Sequence, residues 1–144
     1  MAEYRYSISL RAFHPTMDLE AVSDTIGIKP QILWKVGEPR RAPNGRALGG
    51  ISKISYWTTR LVDGPSIEKD LSSALLAGLD MVEAGSSLFA TIAQTGGRVE
   101  FFIGWFFGHG SSGDILDHNL LARLAGMSID LAFDVYGDAE ASSD

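Results

Sequence analysis

The segment YRYSISLRAF, residues 4–13, alternates apolar and polar side chains along almost its whole length. This period of two predicts a β-strand with one face in a hydrophobic core and the other face directed away from it. We therefore expect a sheet that is covered on one side. The inward set is Tyr4, Tyr6, Ile8, Leu10 and Ala12, and the outward set is Arg5, Ser7, Ser9 and Arg11.

Three further segments predict strands: ISKISYWTTRLV (51–62), RVEFFIGWFF (98–107) and SIDLAFDVY (128–136). Residues 98–107 are apolar on both faces, which is typical of a central strand. Helical patterns separate the strands. The first ends at Gly27, one or two helices follow within 64–97 with Ser66 as the cap, and the last ends at Gly126. Residues 34–50 are rich in Gly, Pro and Arg and predict a long loop.

The order strand–helix–strand, helical insertion, strand–helix–strand contains two similar halves. Aligning Asp18 with Asp117 also aligns Gly27 with Gly126. Two βαβ units of this kind predict an α+β fold, a ferredoxin-like sandwich with a four-stranded, mainly antiparallel sheet and helices on one face. We expect one domain over 1–137 and a disordered tail over 138–144.

The composition is that of an ordinary globular protein of 144 residues without cysteine. Disulfides and thiolate metal sites are therefore excluded. The first residues lack the continuous apolar stretch of a signal peptide, and the sequence shows no apolar run long enough to predict a membrane span. We expect a cytoplasmic protein that does not bind membranes.

The net charge of −6 is distributed unevenly. Residues 29–60 hold seven basic residues and one acidic residue, a balance of +6, whereas the remainder holds five basic and seventeen acidic residues, a balance of −12. The acidic remainder would repel phosphate backbones, which argues against nucleic-acid binding. The basic segment is where an anionic ligand or an acidic protein would bind.

The glycine-rich segment GWFFGHGSSGD, residues 104–114, contains the spacing GxGxxG after a predicted strand. A dinucleotide fold would use such a loop for pyrophosphate and place Asp134 on the ribose. The helical pattern starts too late after the glycines, however, and the further strand and crossover would have to fit into the ten residues after Asp134. We expect an ordinary strand-to-helix loop and no cofactor.

No arrangement in the sequence predicts catalysis or a metal site. His109, Asp114, Asp117 and His118 lack the spacing of known metal motifs, and no nucleophile elbow is present. We expect no catalytic residue and no metal ligand.

The loop WKVGEPRRAPNGRALGG, residues 34–50, combines a tryptophan with several arginines. Arginines bind anions in bidentate fashion and tryptophan offers a flat apolar surface, so the loop predicts a ligand clamp. Alternatively, Trp34 attaches the loop to the core and the arginines are solvated. The candidate binding residues are Trp34, Lys35, Glu38, Arg40, Arg41, Arg46 and Trp57.

The outward sheet face carries apolar residues among charges. Aromatic residues on such a face are typical of RNA-recognition domains, but the acids Glu100, Asp130 and Asp134 would repel RNA. We expect a protein contact here, in the form of a homodimer; coverage by the helical insertion and ligand binding remain alternatives. The candidate interface residues are Phe102, Phe106, Arg5 and Arg11.

Several segments together resemble the bacterial domain-of-unknown-function family numbered 4279. They are ISLRAFHPTMDLEAVSDTIGIKP, WKVGEPRR, SYW, TGGRVEFFIGW and LLARLAGMSIDLAFDVY. The resemblance covers about residues 5–136, and its most specific element runs from Trp34 to Arg40. It implies a small stand-alone bacterial domain without an established activity, and it assigns no catalytic residue.

These observations lead to one expected function and one alternative. We expect a non-enzymatic, homodimeric binding domain that engages an acidic protein or an anionic ligand through residues 34–46, as an immunity protein would. The alternative is a small-molecule sensor or enzyme with a cleft near Trp34, Trp57 and the loop arginines.

Overall fold

The computed structural model describes residues 3–137 and contains four α-helices and two sheets in that range. The strands are β1 (Tyr4–His14), β2 (Ile32–Trp34), β3 (Pro39–Arg41), β4 (Ala47–Ile51), β5 (Ser55–Pro65), β6 (Arg98–Phe107) and β7 (Ile129–Tyr136). The helices are α1 (Glu20–Ile26), α2 (Leu71–Val82), α3 (Ser86–Gln94) and α4 (His118–Gly126). A 3-10 turn, Glu83–Gly85, joins α2 to α3. The expected tail, 138–144, lies outside the described residues.

The main sheet has the strand order β2–β5–β1–β6–β7, with β1 in the middle. β1 pairs antiparallel with β5 and with β6, and Leu10 stands opposite Thr59 on one side and Phe101 on the other. β2 is antiparallel to β5, and β7 is parallel to β6. β3 and β4 form a separate two-stranded hairpin. The class is therefore α+β, as the sequence predicts.

The predicted count of four strands is wrong, because the main sheet has five. The sheet is mainly antiparallel, as predicted, and its one parallel pair is β6 with β7, because α4 crosses over between them and such a crossover joins parallel strands. The prediction of a helical insertion is also wrong for residues 71–94. They connect β5 to β6, which run in the same direction on either side of β1. The predicted long loop, 34–50, contains β3 and most of β4, and it starts at the last residue of β2.

One hydrophobic cluster joins the helices to a single face of the sheet. The inward residues of β1 are buried, as the alternation predicts, and so are Phe101 and Ile103 of β6. Leu75 and Leu79 of α2 and Phe89 of α3 pack against them. The helices therefore cover one face, and the face that carries Arg5 and Arg11 lies opposite.

Acidic caps fix where two helices begin. Asp70, and not Ser66, caps α2, and its carboxylate accepts a hydrogen bond of 2.9 Å from the Ser73 amide. The side chain of Ser73 and this amide, by hydrogen bonding to the carboxylate, lower the pKa of Asp70. Asp117 caps α4 by accepting from the Leu120 amide at 3.0 Å. α4 therefore starts well beyond the glycine-rich segment.

The helical stretch Leu71–Gln94 is long and apolar enough, by length and composition, to cross a membrane, a candidate that the sequence analysis did not identify. The core helix of a soluble protein passes the same test, and this stretch supplies Leu75, Leu79, Phe89 and Ile92 to the hydrophobic cluster. Part of this stretch is therefore buried against the sheet, as in a core helix.

Candidate ligand-binding site

A concave site lies beside the hairpin formed by β3 and β4. Its cavity has a volume of about 460 Å³. Three cations and four large apolar side chains supply most of its wall. The cations are Arg40, Arg41 and Lys53, and the apolar residues are Trp34, Leu48, Ile51 and Ile54.

A glycine-containing bulge in β4 borders this cavity. Pro39 pairs with Ile51 and Arg41 pairs with Ala47, so β4 advances two residues further than β3 over the same ladder. Gly49 and Gly50 lie within the longer segment and have φ values of 81° and 71°. Glycine adopts this left-handed conformation without steric cost, and such bulges bend a strand. The bulge lies at the cavity, because Gly50 and Ile51 are among its lining residues.

Trp34 ends the edge strand β2 and reaches the cavity from the main sheet. It pairs with Tyr56, and the two ring centroids are 5.1 Å apart. The Tyr56 ring in turn lies 4.9 Å from Phe13 on β1. Trp34 is 37% exposed. Its ring is thus supported by neighbouring aromatic rings while part of it remains accessible at the cavity.

The structure brings together Trp34, Arg40 and Arg41 of the predicted set and separates the others. Lys35 forms an ion pair of 3.4 Å with Asp18, whose pKa is lowered by the Glu20 amide and by Lys35. Arg46 is exposed in the hairpin turn and lines neither this cavity nor the next.

Glu38 and Trp57 also differ from the prediction. Glu38 lines a smaller neighbouring cavity of about 230 Å³, which shares Trp34 and Arg41 with the first. Trp57 is fully buried and donates a hydrogen bond of 2.8 Å to Ser23 Oγ. It is therefore a core residue and not part of the cleft, because it lies on the strand face that the helices cover.

Sequence reasoning missed Leu48, Ile51, Lys53 and Ile54 as cavity residues. Lys53 was visible only as one charge of the basic segment. The apolar residues follow the arginines, with Leu48 before Gly49 and Gly50 and the two isoleucines after them, but nothing in the local pattern indicates that β4 folds back on β3.

The charge of the cavity is positive. Neither Arg40 nor Lys53 forms an ion pair with any residue in the part of the chain that the structure describes, and Arg41 donates one hydrogen bond of 3.3 Å to the Gly45 carbonyl. Among residues 3–137, no group of three or more His, Asp or Glu side chains is arranged to hold a metal ion.

The four predicted interface residues share the sheet face opposite the helices, because Arg5 pairs with Phe106 and Arg11 lies beside Phe102 and Glu100. The Arg11 guanidinium lies 4.4 Å from the Phe102 ring centroid, and its Nε is 3.6 Å from the buried Glu100 carboxylate. Phe106 is exposed and stacks on Tyr136 at 5.0 Å. The helical segment does not cover this face.

The glycine-rich loop after β6 is attached to the protein by its own polar groups. The Asp114 carboxylate accepts hydrogen bonds from the Ser72 amide at 2.9 Å and from the Tyr4 hydroxyl at 3.2 Å. Burial raises the pKa of Tyr4 to about 12. Ser112 accepts from the Trp105 indole at 3.1 Å. The loop therefore joins β1, β6 and the start of α2.

Comparison with known proteins identifies the family but not an activity. A family model described as a domain of unknown function, DUF4279, matches residues 2–138. The comparisons with curated proteins and with solved structures found no match. With nearly its whole length matched, the chain belongs to the DUF4279 family.

Proposed function

We propose that this protein is a binding domain whose hairpin cavity takes an anionic ligand or an acidic protein segment. The observation that carries the proposal is the lining of the cavity, where Arg40, Arg41 and Lys53 stand beside an apolar wall in about 460 Å³. Ligand sites commonly have volumes of about 300–1,000 Å³ and combine apolar walls with a few polar groups. Arginine also binds carboxylates and phosphates in bidentate fashion.

We propose binding without catalysis. The described residues that line the cavity include no His, Asp or Glu that could transfer a proton during a reaction. A small-molecule sensor or enzyme is the alternative, and the carboxylate of Glu38 in the neighbouring cavity favours it. Turnover of a bound ligand that is lost in Glu38→Gln would support the alternative.

We also infer a ferredoxin-like arrangement for β1, α1, β2, β5, the α2–α3 segment and β6. Its support is the antiparallel order β2–β5–β1–β6, which is the order of that fold, with α4 and β7 as an extension. We further propose that the protein acts in the bacterial cytoplasm and neutralises a toxin, as an immunity protein does. An acidic domain with one basic site fits such a role.

We propose a homodimer through the sheet face that carries Phe102 and Phe106. The support is an exposed aromatic stack, Phe106 on Tyr136, on a face without a covering helix. Light scattering after size exclusion should give a dimer for the wild type and a monomer for Phe102→Asp. Ile115→Asp, at a residue 77% exposed elsewhere, is the control and should remain dimeric. A monomeric wild type contradicts the proposal.

Calorimetric titration tests the proposed binding. Inorganic phosphate and a short poly-glutamate peptide are the two probes, and Arg40→Glu with Arg41→Glu is the variant. We expect at least one probe to bind the wild type and to lose about tenfold or more in affinity for the variant, because two attractive charges become repulsive. Arg46→Glu is the control, since Arg46 lies outside the cavity. Equal losses in both variants would contradict a localised site.

A further inference from the structure

We infer that the ligand of the hairpin cavity is a small, flat aromatic anion, whose carboxylate or phosphate lies at Arg40 and Arg41 and whose ring lies against Trp34. This inference rests on the proposed function and narrows it. A hydrated inorganic anion and a flexible acidic peptide are the two ligand types that it excludes as the main occupant.

The apolar wall argues against an inorganic anion. Four large apolar side chains of the cavity are exposed: Trp34 by 37%, Leu48 by 45%, Ile51 by 59% and Ile54 by 38%. A small hydrated anion would leave these surfaces in water and gain nothing from them. A ligand with an apolar body removes them from water together with its own surface, which is favourable.

The support behind Trp34 argues for a flat ring. Its indole contacts Tyr56, and Tyr56 contacts Phe13, so a row of three aromatic side chains runs from the central strand to the cavity. A side chain held in place before binding loses little conformational freedom on binding, which favours affinity. Planar surfaces such as indole prefer planar partners in stacked or tilted arrangements.

The cations define the polar end of the ligand. Arg41 donates a hydrogen bond to the Gly45 carbonyl, and Arg40, the preceding residue of β3, lines the same cavity. Lys53 adds a third positive charge from the segment between β4 and β5. A carboxylate or phosphate matches this set, and a cavity of about 460 Å³ suits a small molecule rather than an extended chain.

Three probes separate the contributions in calorimetric titrations: naphthoate, the neutral naphthalene methanol and inorganic phosphate. For the wild type we expect naphthoate to bind at least about tenfold more tightly than either of the others. Trp34→Leu should weaken naphthoate about tenfold and leave phosphate unchanged. Arg40→Gln with Arg41→Gln should weaken naphthoate and phosphate alike. Arg46→Gln is the control, and Ile51→Ser provides a second variant of the apolar wall.

The outcomes distinguish this inference from the proposed function. If phosphate binds as tightly as naphthoate, or if Trp34→Leu and Ile51→Ser both leave naphthoate unchanged, the aromatic ligand class is wrong while an anion site remains. If poly-glutamate binds and naphthoate does not, the occupant is a peptide and the inference is again wrong. If no anion binds, or the arginine variant matches the wild type, the proposed function itself is wrong.

Discussion

The β3–β4 hairpin and the glycine-rich loop after β6 look alike in sequence and differ in what their polar groups bind. Both are rich in glycine, and both border a cavity, of about 460 Å³ at the hairpin and about 490 Å³ at the loop. In the loop, Asp114 and Ser112 bond to groups of the protein itself. At the hairpin, Arg40 of β3 and Lys53, which follows β4, line the cavity. Glycine content therefore does not distinguish a connecting loop from a candidate binding site. The distinction is whether the polar side chains are hydrogen-bonded within the protein or line a cavity.

The cavity at the glycine-rich loop differs from the hairpin cavity in the polar groups of its wall. Trp105, Phe107, Phe133 and Val135 supply much of its wall, and its one carboxylate among the described lining residues, Asp114, is already hydrogen-bonded. Asp114 is the one charged side chain among the described lining residues, and its oxygens already accept hydrogen bonds from within the protein. The comparison predicts that changes in the loop affect stability, whereas changes in the hairpin affect binding.

The largest effect should come from Asp114→Ala. The change leaves the Ser72 amide and the partly buried Tyr4 hydroxyl without their acceptor, and we expect a loss of about 2–3 kcal/mol in the free energy of unfolding. Urea denaturation measures it. Asp114→Asn, which keeps one carbonyl oxygen as acceptor, should recover part of the loss. A change below about 0.5 kcal/mol for Asp114→Ala would mean that the loop is not held by this carboxylate.

The raised pKa of Tyr4 predicts a loss of stability at alkaline pH. The unfolded chain releases this proton near the ordinary value of 10.0, whereas the folded protein retains it up to about 12. The stabilisation is therefore complete below pH 10 and is lost as the pH rises towards 12, by about 1–2 kcal/mol.

Denaturation at about pH 9 and about pH 11 measures this loss, with Tyr4→Phe as the reference protein. Burial also raises the pKa of Tyr6, which contributes to the slope in both proteins, so their difference isolates Tyr4. Equal slopes would show that Tyr4 is not the group responsible.

The sequence predicts the long elements well because their periodicity is local. The alternation in residues 4–13 identifies β1 and its buried face, and Gly27, with φ of 71°, ends α1 as expected. The late start of the helical pattern also correctly separates the glycine-rich segment from α4, which begins at His118.

Pairing between distant segments could not be predicted in the same way. The parallel pairing of β7 with β6 depends on how α4 crosses the sheet, and the hairpin depends on a bulge at two glycines. The residue types in the loop, without any knowledge of pairing, identify Trp34, Arg40 and Arg41 as candidate binding residues. Trp57 was misassigned because its strand alternates less clearly than β1, so its inward direction was not evident.

Glycine substitutions compare the hairpin with the glycine-rich loop through a smaller loss of stability. Gly49→Ala should cost about 1 kcal/mol, because Gly49 has φ of 81° and a Cβ there meets nothing within 4 Å, which leaves backbone strain as the only term. Gly108→Ala, at the first glycine of the GxGxxG spacing, is the matched control. It also meets nothing within 4 Å, and Gly108 is not among the glycines with positive φ in the described residues. Thermal denaturation should show a loss of stability only for Gly49→Ala. Equal losses in the two variants would contradict the argument that the positive φ of Gly49 is the cause.

The smallest expected effect on stability is that of Arg40→Gln with Arg41→Gln. Both side chains are exposed, and the one hydrogen bond found for them among residues 3–137 is the contact of Arg41 with Gly45. We expect a change within about 0.5 kcal/mol in the free energy of unfolding, as for other surface substitutions, while anion binding is weakened. A large loss of stability would instead assign these arginines to holding the hairpin together. Stability and binding must therefore be measured on the same variant. The hairpin is a recognition surface only if the affinity for the anion falls while the free energy of unfolding stays unchanged.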